Sequence, residues 1–136
     1  MDRREFIIGS AAACVLMGAL PISGCTSYKP VTAEIENDRL KIKKADFGEN
    51  NWVVVKPART NAPVLLTKNE NGTYSAVLME CTHKQCEVKP SGNVLICPCH
   101  GAEFSLHGKV LKEPAEKDLH IYTTSLDEIY VYIHLK

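Results

Sequence analysis

Between residues 81 and 104 the sequence gathers cysteine and histidine into two short clusters. They are Cys81-Thr82-His83-Lys84-Gln85-Cys86 and Cys97-Pro98-Cys99-His100-Gly101-Ala102-Glu103-Phe104. Each offers a thiolate and an imidazole two or three positions apart, a donor pairing that suits zinc or an iron–sulfur centre. Thirteen residues separate His83 from Cys97, room for a strand pair that sets two loops side by side. Donor counting alone leaves both kinds of metal site open.

The elements available to position these loops are strands. Apolar, β-prone runs occur at about Arg39–Lys43, Trp52–Lys56, Val64–Lys68, Tyr74–Met79, Val94–Cys97, His120–Thr124 and Ile129–Leu135. Turn residues divide them at Gly48-Glu49-Asn50-Asn51, Asn69-Glu70-Asn71-Gly72, Lys89-Pro90-Ser91-Gly92-Asn93 and Leu126-Asp127-Glu128. Asn71-Gly72 between two apolar runs is a hairpin signal. No segment keeps a long 3.6-residue apolar period, and no internal repeat or low-complexity tract appears. The pattern predicts an all-β domain, an antiparallel sandwich or barrel, from about residue 37 to residue 136. A core of that size is modest, so a cofactor or disulfide should add stability.

Composition narrows the function. Lys plus Arg and Asp plus Glu each number 16 in 136 residues, so the chain lacks the basic field of a typical nucleic-acid binder. No nucleophile–base pair or phosphate-binding loop is evident, which argues against a complete enzyme. Arg3-Arg4 followed by an uncharged stretch from Phe6 to Gly24 reads as an export signal over residues 1–24. The paired arginines resemble the twin-arginine motif, with an ordinary secretory signal as the alternative. Ile22-Ser23-Gly24-Cys25 resembles a bacterial lipobox, making Cys25 the expected lipidation site. Pro21 and the glycines and serines of the run suit an uncleaved spanning helix less well. Residues 25–36, polar and containing Pro30, read as a lipid-anchored linker.

The combined pattern Cys-x-His…Cys-x-x-His, with Cys-Pro-Cys-His-Gly in its second half, resembles the Rieske iron–sulfur family over residues 37–136. The resemblance implies a Rieske-type antiparallel β-sandwich with a small cluster-binding subdomain. It implies a [2Fe–2S] cluster with Cys81 and Cys97 on one iron and His83 and His100 on the other. A structural zinc site is the alternative metal reading. In the high-potential branch, which includes the iron–sulfur subunits of cytochrome bc and b6f-type complexes, cysteines placed like Cys86 and Cys99 form a disulfide. Export would permit one here. Gly108-Lys109-Val110-Leu111…Pro114-Ala115…Leu119 is similar to the proline loop that covers the cluster in the family, with Glu113 where Gly is usual. His107, His120 and His134 fall outside the motif and read as ordinary loop or strand residues.

The implied activity is one-electron transfer in a membrane-associated respiratory chain on the outer side of a bacterial cell membrane. Its implied partners are a quinol-oxidising cytochrome b or other redox subunit and a cytochrome acceptor. Two departures bear on that assignment. Lys84-Gln85 replaces the usual Leu-Gly after the first histidine and makes the tip polar, which would suit the molybdenum subunit of an arsenite-oxidase-like enzyme. Ala102 and Phe104 replace a Ser and a Tyr whose hydroxyls, in high-potential relatives, hydrogen-bond a cluster sulfide and a ligand sulfur. A non-redox metal-binding scaffold lipoprotein is the reading from a different functional class.

Overall fold

The computed structural model describes residues 28–136. The export signal and Cys25 lie outside the described residues. Among the described residues no helix is long and apolar enough to cross a membrane. The first strands of the described residues are short, β1 (Val31–Thr32) and β2 (Glu34–Glu36). β3 (Arg39–Lys43), a 3-10 turn (Lys44–Phe47), β4 (Trp52–Lys56), β5 (Val64–Lys68) and β6 (Tyr74–Leu78) follow. After β6 come four three-residue strands, β7 (Lys89–Ser91), β8 (Val94–Ile96), β9 (Glu103–Ser105) and β10 (Val110–Lys112). The chain closes with β11 (Ile121–Tyr122), β12 (Thr124–Leu126) and β13 (Tyr130–His134).

These strands form three sheets, in the orders β1-β4-β5-β6-β11, β12-β13-β3-β2 and β10-β9-β8-β7. The first is central and is buried on both faces. Val53, Val55, Val64, Leu66 and Ala76 pack towards Leu40, Ile42, Val131 and Ile133 of the second sheet. The alternate residues Val54, Leu65 and Val77 pack with Leu95 and Phe104 of the third. Successive side chains of a strand point to opposite faces. A sheet covered on both sides therefore needs near-continuous apolar runs, which is what Val53-Val54-Val55 and Val64-Leu65-Leu66 supply. β3 has one wet face, and its burial alternates along Arg39–Lys43.

The sandwich starts earlier than the linker reading of residues 25–36 expects. Val31 pairs in parallel with Val55, and Ile35 pairs antiparallel with Leu40. Both β1 and β2 are edge strands held by backbone pairing. In β2 the exposed, acidic positions Glu34 and Glu36 suit an edge facing water but carry no apolar periodicity. Among the described residues the β1–β4 pair is also the parallel exception to otherwise antiparallel pairing. The Asn71-Gly72 turn joins β5 to β6 as expected: the Asn69 N–H donates to Thr73 O at 2.8 Å, and the Gly72 N–H to Asn69 O at 3.1 Å.

A candidate metal centre at the tip of the third sheet

The β7–β8 hairpin occupies the interval between the two Cys/His clusters and holds both loops at one end of the third sheet. The loops share one backbone design. In the first, the Cys81 N–H donates to Cys86 O at 2.7 Å and the Gln85 N–H donates to Cys81 O at 2.8 Å. In the second, the Cys97 N–H donates to Ala102 O at 2.8 Å and the Gly101 N–H to Cys97 O at 2.9 Å. Each loop thus closes on its first cysteine and passes through a left-handed residue four positions on, Gln85 at φ 57° and Gly101 at φ 75°. Glycine enters that region at little cost, whereas Gln85 occupies it against the usual steric preference.

This backbone sorts the donors by depth. Cys81 and Cys97 carry free thiols and are almost completely buried, at 1% and 0% exposure. His83 and His100 are exposed, and their rings meet edge to face with centroids 5.0 Å apart. The two sequence-predicted thiols are therefore buried beside each other, and the two sequence-predicted imidazoles are exposed and in contact with each other. Burial pushes the Cys81 thiol up and the neighbouring Cys97 adds to this, while the amide N–H groups of His83 and Lys84 pull it down. A pair of thiols in an apolar floor, already facing amide donors, is suited to hold a cation that compensates buried negative charge. The paired imidazoles on the exposed side offer nitrogen donors of the kind that a mixed N/S site uses.

Cys86 and Cys99 form a disulfide that ties the two loops together, with Cα atoms 6.5 Å apart. The sulfurs of Cys86, Cys97 and Cys99 all lie within 4.8 Å of one another. The bonded pair has no thiolate to offer, so this trio is a disulfide packed on a donor cysteine, not a second metal site.

The segment Gly108–Leu119 folds against the first loop. Its base is closed where the Leu119 N–H donates to Gly108 O at 2.8 Å and the Val110 N–H donates to Asp118 Oδ1 at 2.9 Å. Gly108 sits at φ 87°, and a Cβ there would meet Val77 Cγ1 at 3.0 Å, so glycine is required by both backbone and space. The Thr82 hydroxyl donates to Lys117 O at 2.7 Å. Between this segment and the loop lies an open hollow of about 470 Å³, lined by Thr82, His83, Glu113, Pro114, Glu116 and Lys117. Sequence reasoning anticipated the proline segment but not the parts played by Thr82 and Asp118. Thr82 sits between two donors and could have been singled out; nothing in the local sequence marks Asp118 as a clasp. Asp118→Ala and Thr82→Val are each expected to cost about 1 kcal/mol of stability and to speed metal loss to a chelator. Melting curves and chelation rates check this; unchanged rates in both variants would show that the segment does not protect the centre.

The remaining histidines stand apart from the tip. His107 Nδ1 lies 3.1 Å from Ser75 Oγ, His134 Nε2 lies 2.8 Å from Ser125 Oγ, and His120 packs edge to face on Tyr122.

Known proteins share this sequence pattern and this fold. The model of the Rieske [2Fe-2S] domain family matches residues 32–123. The cytochrome b6-f complex iron-sulfur subunit of Chlorobaculum thiosulfatiphilum is 29% identical over 133 residues, covering 93% of this chain and 71% of that protein. The corresponding subunit of Synechococcus sp. (strain JA-3-3Ab) is 37% identical over 143 residues, covering 93% and 83%. The crystal structure of the plasma membrane Rieske protein PetC3 of the cyanobacterium Synechocystis PCC 6803 superposes with a TM-score of 0.57 at 36% identity, covering 67% of this chain and 93% of that one. A chain from the oxygenase–ferredoxin complex of carbazole 1,9a-dioxygenase gives the same TM-score at 22% identity, covering 74% and 96%, a likeness of fold.

Proposed function

The chain belongs to the Rieske [2Fe–2S] family of iron–sulfur electron carriers, and on that premise we propose that Cys81, His83, Cys97 and His100 hold its cluster and that it relays single electrons from quinol to a cytochrome in a membrane-bound chain. When bound, the cluster would supply a one-electron couple, its potential raised by two imidazoles in place of two thiolates. The rest is done by the protein. Cys81 and Cys97 anchor the buried side. The amides of His83 and Lys84, which pull the Cys81 thiol's pKa down, favour the more negative reduced charge. The disulfide and the Gly108–Leu119 segment limit water access, and His83 and His100 present the exposed edge to a partner.

The observation that carries this reading is the depth sorting of the donors. A structural zinc site has no need of two exposed histidines facing solvent across from two buried thiols, whereas an electron carrier needs one reachable edge. The test is metal and sulfide analysis with EPR of the reduced protein. Iron and acid-labile sulfide in equal amounts, with a Rieske-type signal, are the expected result; fully metallated protein containing zinc and no iron would falsify the assignment.

Relatives named as cytochrome b6-f subunits support a cytochrome b partner. The exposed Lys84 and Gln85 at the tip favour a second reading, docking to a polar face such as that of a molybdenum subunit of arsenite-oxidase type. Electron transfer that slows steeply with added salt would favour the polar partner.

We further propose that residues 1–24 are an export signal, that Cys25 carries lipid, and that a tether ending before Val31 holds the domain on the outer side of the cell membrane. A disulfide suits that oxidising side. Mass spectrometry of the membrane-bound chain should find a lipid-modified Cys25 at its start. An intact Met1–Gly24 segment in that form would instead establish an uncleaved anchor.

A further inference from the structure

We infer that Cys97 is also the nucleophile of an internal thiol–disulfide exchange: in the cluster-free chain its thiolate attacks the Cys86 sulfur, producing a Cys86–Cys97 disulfide and freeing Cys99. The inference rests on the reading of Cys97 as a cluster ligand, since ligation to iron is what holds the sulfur back in the loaded protein.

Three observations lead there. The sulfurs of Cys86, Cys97 and Cys99 lie within 4.8 Å of one another, and two of them are already bonded. Cys97 is a free thiol with no solvent exposure, so external thiols and oxidants do not reach it and the adjacent disulfide is its natural reaction partner. The two disulfide sulfurs are also unlike. Cys99 is exposed, whereas Cys86 is partly buried and packed on the apolar core. Exchange is fastest where the departing thiolate is best stabilised. Attack on Cys86 releases Cys99 into water. Attack on Cys99 would release Cys86 against apolar side chains and close a small ring through Pro98.

The step is redox-neutral. The Cys97 sulfur forms a bond to the Cys86 sulfur as the Cys86–Cys99 bond breaks with its electron pair leaving on Cys99. The proton that Cys97 loses is the one that Cys99 gains, so none is taken up or released overall. One disulfide and one thiol remain, in new places. With Cys97 consumed, the loops can no longer offer two thiols to iron, so a chain that loses its cluster locks itself out of reloading until it is reduced. The cluster must therefore be in place before, or together with, the disulfide.

Disulfide mapping tests this. Loaded wild-type protein and protein stripped by an iron chelator, both without added thiol, are alkylated with iodoacetamide, digested and analysed by mass spectrometry. Cys81→Ser, purified without a cluster and never treated with chelator, provides the same readout free of released sulfide. The loaded protein should retain Cys86–Cys99. The stripped protein and Cys81→Ser should lose that link, gain Cys86–Cys97 and carry alkylated Cys99. Retention of Cys86–Cys99 in both cluster-free samples overturns the exchange and leaves the ligand reading intact. Alkylation of both Cys86 and Cys99 shows reduction from outside and also overturns it, as does a scrambled mixture in which Cys81 links as often as Cys97. A Cys86–Cys97 link already present in the loaded protein overturns the ligand reading itself.

Discussion

His100→Ala is expected to yield a chain that holds no iron and has a loosened third sheet over an intact sandwich. The reason is how unevenly stability is distributed. The second core, built from Leu40, Ile42, Val53, Val55, Val64, Leu66, Ala76, Val131 and Ile133, lies between two sheets whose main strands are five residues long, and it contains no donor residue. The other core includes both proposed ligand cysteines, Cys81 and Cys97, and its outer layer is four strands of three residues each. Strands that short are held by what they are tied to. A centre that joins the two loops contributes to folding there because metal binding and local order are coupled. Loss of a group merely supporting a metal ligand typically costs 10–100-fold in affinity, so loss of a direct ligand should weaken retention by more than about 100-fold. Iron analysis gives the first readout. Hydrogen exchange gives the second: protection should fall over residues 81–119 and persist in β3, β4, β5 and β13. A variant that keeps its iron would remove His100 from the ligand set; uniform loss of protection would show that the two layers fold as one unit.

That division also explains what could be read before the fold was known. β3, β4 and β5 match their expected bounds, Arg39–Lys43, Trp52–Lys56 and Val64–Lys68. Burial wrote a pattern into them: alternation in β3, unbroken apolar runs in β4 and β5. Glu34–Glu36 and Glu103–Ser105 are strands because a neighbour pairs with them, and three-residue pairing leaves too little periodicity to detect. At the tip, residue type and spacing were enough to identify the four donors as candidates. The Cys86–Cys99 pairing came from the family resemblance, since proximity in sequence does not select among cysteines. The Asp118 clasp was invisible because it depends on the Gly108–Leu119 segment turning back until Val110 faces Asp118. The depth sorting was equally hidden, because which way a loop residue points is set by backbone bonds such as Cys97 N–H to Ala102 O.

The midpoint potential should lie on the order of 100 mV below that of relatives bearing the Ser and Tyr hydroxyls, and still well above all-cysteine ferredoxins. The positions of those hydroxyls are Ala102 and Phe104, both with 0% exposure and both packed in the core that contains Cys81 and Cys97. Neither side chain can donate a hydrogen bond, and at 0% exposure neither gives water a place to substitute. Reduction adds an electron, so each donor to a cluster or ligand sulfur stabilises the reduced form more than the oxidised one. A hydrogen bond to a charged acceptor is worth about 1.5–3 kcal/mol, but only its difference between the two states counts. A difference of about 1.4 kcal/mol corresponds to about 60 mV for a one-electron couple, and two missing donors give the expected lowering. A potential in that range suits a low-potential donor such as menaquinol better than ubiquinol. Protein-film voltammetry of wild type, Ala102→Ser and Phe104→Tyr separates the contributions. Each substitution should raise the midpoint by tens of millivolts. The Phe104→Tyr chain should do so with little loss of stability only if its new hydroxyl finds a sulfur acceptor, because an unpaired hydroxyl in that core costs about 1–3 kcal/mol. A raised midpoint with an unchanged melting temperature is therefore the combined signature of a donated bond. A lowered melting temperature with no shift would mean that the hydroxyl is buried without a partner, and that the amides of His83 and Lys84 already set the potential.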